Sequence, residues 1–76
     1  MSHASSVDYI ASLAIKVDDN KIETQEAAIL AAYDMRKMSV WDRAENYKDA
    51  HTNARTGLND QIANVIDDMF HLQIKV

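Results

Sequence analysis

The sequence predicts an all-α fold: a small bundle of two short helices and one long C-terminal helix carrying a coiled-coil-like seam. Three observations lead there. The 76-residue chain has no proline and one glycine, Gly57. β-rich folds need frequent turns, and turns draw on Gly, Pro, Asn and Asp. The rest is rich in Ala, Leu, Met, Glu, Gln and Lys, which favour helix. Finally, apolar residues recur at three- and four-residue spacing along most of the chain.

The first helix is expected to start after Ser5 or Ser6. Ser5 with Asp8 three residues on approximates a capping box. Val7, Ile10, Ala14 and Val17 follow at helical spacing, with Leu13 beside them. The element should stop at Asp18-Asp19-Asn20, because carboxylates at a helix C-terminus oppose the macrodipole.

The second helix is expected to begin near Glu23 or Thr24, with Thr24 as cap. Its centre, AAILAAY at 27–33, is small and apolar on nearly every side. A helix of that kind is expected to be buried all round. Met35 and Met38 extend its packing surface.

Ser39 reads as the next cap, with Asp42 three positions on. From there a heptad frame runs unbroken. Trp41, Lys48, Arg55, Ile62, Met69 and Val76 form one row, and Ala44, His51, Leu58, Val65 and Leu72 form the other. These are the a and d rows of a coiled coil. Ile66 and Phe70 widen the C-terminal half. Val40, Tyr47 and Ala54 give a second apolar row beside the N-terminal half. Read as one helix over about 39–72, this element spans roughly 50 Å. Gly57 offers another solution, in which it ends one helix and Asn59 caps a fourth that folds back. We read one continuous helix. The last residues, HLQIKV, alternate apolar and polar in a strand-like way, or form a frayed end.

A long helix with two short neighbours leaves its seam without cover. The expected cover is a second copy of the chain, as a homodimer or higher oligomer, with Leu58, Ile62, Val65, Ile66, Met69, Phe70 and Leu72 as the self-association residues. Size agrees: one domain, 1–76, is marginal alone, and small domains add disulfides, metals or partner subunits. There is no cysteine, and His3, His51 and His71 lack metal-ligand spacing. No metal and no cofactor are expected.

Charge narrows the partners. Net charge is −4 and pI about 5.1. Lys16 stands against Asp8, Asp18 and Asp19 at one end, and Lys75 against Asp60, Asp67 and Asp68 at the other, while the middle is balanced. A general nucleic-acid binder should show a basic stripe and a high pI, so no direct nucleic-acid contact is expected. No apolar run reaches the length of a membrane span, an acidic amphipathic helix suits anionic lipid poorly, and the N-terminus lacks signal-peptide character. A cytoplasmic protein without membrane contact is expected.

No motif points to a named chemistry. The segment DDNKIETQE at 18–26 lacks the glycine a calcium loop needs at its sixth position. No Gly-rich phosphate loop or Ser-His-Asp arrangement is present. His51 has Tyr47 four residues before it, within reach, whereas Asp49 points elsewhere. No catalytic residue is assigned. The function expected is that of a non-enzymatic interaction protein, a regulator or inhibitor that binds a protein partner. Trp41 and Tyr47 are the candidate contacts, both being residue types enriched at interface hot spots. The alternative is a small anionic ligand, nucleotide or phosphate-like, on the Lys48, His51 and Arg55 face, where cations occupy seam positions. The third reading is an acidic mimic that competes for a nucleic-acid-binding protein, on Asp18-Asp19 and Asp67-Asp68. Lysine and arginine stems laid over apolar surface, with their charges in water, would explain the same cations without any ligand.

Overall fold

The computed structural model describes residues 3–58 and 60–75, with side chains placed for 7–57 and 60–72. Asn59 and Val76 lie outside the described residues, as does the side chain of Leu58. Four α-helices follow one another: α1 His3–Asp18, α2 Thr24–Met35, α3 Val40–Asn53 and α4 Asp60–Lys75, with a π-helical turn, Ala54–Leu58, between the last two. Among the described residues there is no strand, and the tail is helical to Lys75. In place of the strand-like alternation expected at HLQIKV, the backbone is helical through Lys75, and Val76 lies outside the described residues.

The expected long helix is therefore corrected to a helical hairpin. Tyr47 packs on Phe70 with ring centroids 4.7 Å apart. In one straight helix, residues so far apart in sequence would be separated by about 35 Å along the axis. The whole molecule measures 29 × 26 × 19 Å, shorter than the roughly 50 Å of the expected helix. The break uses neither proline nor a left-handed glycine, since no glycine has positive φ. At its start the Ala54 N–H is shared between the Ala50 and His51 carbonyls. Ala54 itself is fully buried, so the turn begins with a small residue held against the core.

Gly57 follows three residues later and is exposed, with nothing within 4 Å of where a Cβ would stand. Gly57→Ala is thus expected to stabilise the fold by about 0.4–1 kcal/mol, through the reduced freedom of the unfolded chain. A urea-denaturation midpoint that fell below that of the parent would contradict this.

The earlier helix boundaries have local causes. α1 already runs from His3, so Ser5 and Ser6 lie within the helix and do not cap it. It ends in a Schellman motif: Asn20 adopts φ 61°, Lys21 N–H donates to the Lys16 carbonyl at 2.7 Å, and Asn20 N–H to Val17 at 2.9 Å. Asn is the commonest substitute for glycine at that left-handed position. The terminator is therefore Asn20, more than the two carboxylates before it. Glu23, not Thr24, is the N-cap of α2, and its side chain makes no capping hydrogen bond. Ser39 caps α3 as expected, its Oγ accepting from the Asp42 N–H at 3.1 Å.

One core joins all four helices. It holds Val7, Ile10, Leu13 and Ala14 from α1; Ala27, Ala28, Ala31 and Met35 from α2; Ala50 from α3 and Ala54; and Ile62, Ala63, Ile66 and Met69 from α4. Val65, Phe70 and Leu72 are partly buried against it. Ile62, Ile66 and Met69 are thus covered by the chain's own helices, with Val65, Phe70 and Leu72 covered in part, so the argument that α1 and α2 are too short to cover this stripe loses most of its ground. It does so because a folded-back α4 has three neighbours where a straight extension would have had none. The radius of gyration, 11.0 Å, agrees with the roughly 11.4 Å of a compact chain this long.

α2 departs from expectation in the other direction. Its alanines and Met35 face the core, but Ile29, Leu30 and Tyr33 on the opposite side are 58%, 38% and 66% exposed. A helix apolar all round is here covered on one side only.

Candidate functional site

The α3–α4 hairpin brings together the polar groups that the heptad frame had strung along one helix. Tyr47, His51 and Asp67 meet there. Tyr47 and His51 are one turn apart on α3, with ring centroids 5.7 Å apart. Asp67 of α4 receives both: the Tyr47 hydroxyl donates to Oδ1, and His51 Nε2 lies 3.1 Å from Oδ2. An ionised carboxylate only accepts, so Nε2 carries the hydrogen in this pair.

The neighbouring carboxylate holds the Tyr47 hydroxyl in its neutral form, and its ionisation is pushed up to about 12 from 10.0, by the hydrogen bond to Asp67, by burial and by the charge of Asp67. A tyrosine so placed donates a hydrogen bond and resists becoming a phenolate, so it is poorly suited to act as nucleophile or base near neutrality. The arrangement is suited to fastening α3 to α4. Asp67 is the residue that sequence reasoning missed. Its partners lie 16 and 20 positions away in the chain, and nothing local links them until the hairpin is known.

The cationic face expected at Lys48, His51 and Arg55 is partly neutralised. His51 faces Asp67, and Arg55 Nε lies 3.7 Å from Asp60 Oδ1 with both side chains exposed. The counter-charges come from α4. Lys48 is exposed and has no carboxylate partner among the described residues. None of the three lines the groove beside the clamp.

Beside the clamp, α3 and α4 enclose a groove of about 540 Å³ lined by Val40, Arg43, Ala44, Tyr47, Asp67, Phe70 and His71. Its walls are mostly apolar, and its one carboxylate already carries two partners. Val40 is 75% exposed and Trp41 72%. On a helix Val40 neighbours Ala44 at i+4, and Trp41 neighbours Ala44 at i+3; Trp41 itself is not among the residues that line the groove. Arg43 at the groove and Lys48 one turn beyond Ala44 have no acidic partner among the described residues. Behind this face, Asn46 is 2% exposed and satisfied, its amide donating to the Asp42 carbonyl at 2.9 Å and to Met38 Sδ at 3.3 Å. It fixes the start of α3 and the loop before it.

The acidic ends of the chain also meet, as Asp18, Asp60 and Asp68 line a shallow groove with Asn20, Gln61 and Asn64. No helix among the described residues is long and apolar enough to cross a membrane. Comparison with protein families, characterised proteins and solved structures finds no match to this chain.

Proposed function

We propose that the protein works by occupying a protein partner, as a non-enzymatic regulator or inhibitor, through the α3–α4 face that bears Trp41. The observation that carries this reading is an indole 72% exposed beside Val40 at 75%, one turn before Ala44 on an apolar groove lined also by Tyr47 and Phe70. Single exposed apolar residues are ordinary on protein surfaces. A contiguous set with an aromatic anchor is the composition of an interface core. Arg43, Lys48 and His71 around it favour a partner segment with acidic residues flanking its apolar anchors, the geometry of an amphipathic helix laid in a groove. Tyr47 contributes as a wall of that groove and is held by Asp67, so Trp41 is the stronger anchor of the two.

The anionic-ligand reading draws less support, because Asp67 and Asp60 already face two of the three cations.

Trp41→Ala is expected to leave thermal stability within about 0.5 kcal/mol of the parent, since an exposed side chain away from the core is removed. It should weaken partner binding by about 2 kcal/mol or more, roughly thirtyfold, as for a hot-spot tryptophan. The check is affinity capture from the native cell with parent and variant side by side, followed by titration of any protein retained. A partner held equally by both overturns the assignment of this face.

A further inference from the structure

The outer face of α2 carries an unused pattern. Ala27, Ala28, Ala31 and Met35 turn one side of the helix into the core. Half a revolution away, Glu26, Ile29, Tyr33 and Arg36 follow at spacings of three, four and three, the rhythm of a coiled-coil seam, with Leu30 beside them. Arg36, at the C-cap, keeps helical dihedrals, and its guanidinium lies 4.3 Å from the centroid of the Tyr33 ring. The stripe is therefore acidic at one end, apolar in the middle and cationic at the other, over about 15 Å. Neither Glu26 nor Arg36 has an ion-pair partner among the described residues.

Such a stripe is complementary to itself when turned through a two-fold axis, as an isologous interface requires. With the axis level with Ala31, Glu26 of one copy faces Arg36 of the other, and Ile29 faces Tyr33, each contact occurring twice. A parallel pair would instead set Glu26 against Glu26 and Arg36 against Arg36. We propose that a second copy of this chain docks here, as an antiparallel α2–α2 pair. No residue of α2 lines the α3–α4 groove, so the pairing is tested independently of the partner reading above. It also moves self-association away from the 62–72 stripe, most of which the chain covers by itself.

The test is sedimentation equilibrium on the full chain over a wide concentration range. The parent should pass from monomer to dimer mass, and Trp41→Ala should do the same. Ile29→Glu should raise the dissociation constant at least about tenfold, and so should Arg36→Glu, which sets like charges opposite each other twice. Combining Arg36→Glu with Glu26→Arg should restore the parental constant. All these positions are exposed, and circular dichroism establishes that each variant folds. A parent that stays monomeric at the highest concentration overturns the proposal. So does a dimer indifferent to the single changes, or a double swap that fails to restore pairing. A stripe that meets a different protein would give the first of these results.

Discussion

Ile66→Ala is expected to lower the unfolding free energy by about 2–5 kcal/mol, the usual cost of truncating a fully buried isoleucine and leaving its cavity. Ile66 is 0% exposed and lies in the core shared by all four helices. In a domain whose whole stability is of the order of 5–15 kcal/mol, that is a large share. The dependence on concentration matters more than the size. Because the chain covers Ile66 by itself, the difference between variant and parent should be the same at every protein concentration. If a second copy covered it, the loss would fall on the association step, and the variant's midpoint would depend on concentration more steeply than the parent's. Urea melts of both proteins at two concentrations a hundredfold apart decide the matter. A gap that widens on dilution would return the 62–72 stripe to the surface of the subunit.

The same residue shows where sequence reasoning reached and where it stopped. Of the heptad rows, Ile62 and Met69 are buried, as is Ile66 beside them, whereas Val65 and Leu72 are buried only in part. The period of a pattern says that a face is covered; it is silent on what covers it. The missing information lay in Ala54–Leu58, where the chain turns back through a π-helical segment without proline and without a glycine in the left-handed region. Of its residues, only Gly57 is a weak helix former of the kind that marks a break. By contrast Ser39 was readable as a cap, because a side chain three residues from its target needs no tertiary context. Asn20 was equally local and still understated, since asparagine serves both as an ordinary turn residue and as the left-handed closer of a Schellman motif.

α2 and Asp67 are opposite failures. AAILAAY is apolar enough to be a central helix, yet a bundle this small has room to cover only its alanine side. The surplus at Ile29, Leu30 and Tyr33 is visible only once the neighbours are placed. Asp67 looked like one of a pair of solvated acids. Its importance comes from the hairpin, which brings α3 to within one hydrogen bond of it. Of the two candidate contacts, Trp41 is exposed and Tyr47 lines the groove between α3 and α4. Lys48 and His51 stand on α3 while Arg55 falls in the π-helical turn after it, and the carboxylates that answer His51 and Arg55 sit on a helix that the single-helix reading did not contain.

Asp67→Ala is the second large effect. It removes the acceptor for the Tyr47 hydroxyl and the partner of His51 in one step. A hydrogen bond to a charged group contributes about 1.5–3 kcal/mol when buried. The Asp67 side chain is 44% exposed, and solvent screening reduces that to about 1–2 kcal/mol for the pair of contacts. The alkaline limb of stability separates this clamp from mere packing. Tyr47 ionises near 10 in the unfolded chain and near 12 in the fold. The folded state thus favours the protonated form, and its contribution is complete below pH 10 and is lost as pH rises through 12. Other groups titrate in the same range, so the informative quantity is the difference between parent and Tyr47→Phe. That difference should shrink steadily from pH 10 to 12, because only the parent has a proton there to lose. Asp67→Ala should flatten the parent's slope in the same window, since without the carboxylate the Tyr47 hydroxyl returns toward its ordinary ionisation. Stability measured by urea at pH 8, 10 and 11.5 for the three proteins is sufficient. A parent whose alkaline loss matched that of Tyr47→Phe at every pH would mean that the hydroxyl and Asp67 do not interact, and that the hairpin is held by the Tyr47–Phe70 contact and the core alone.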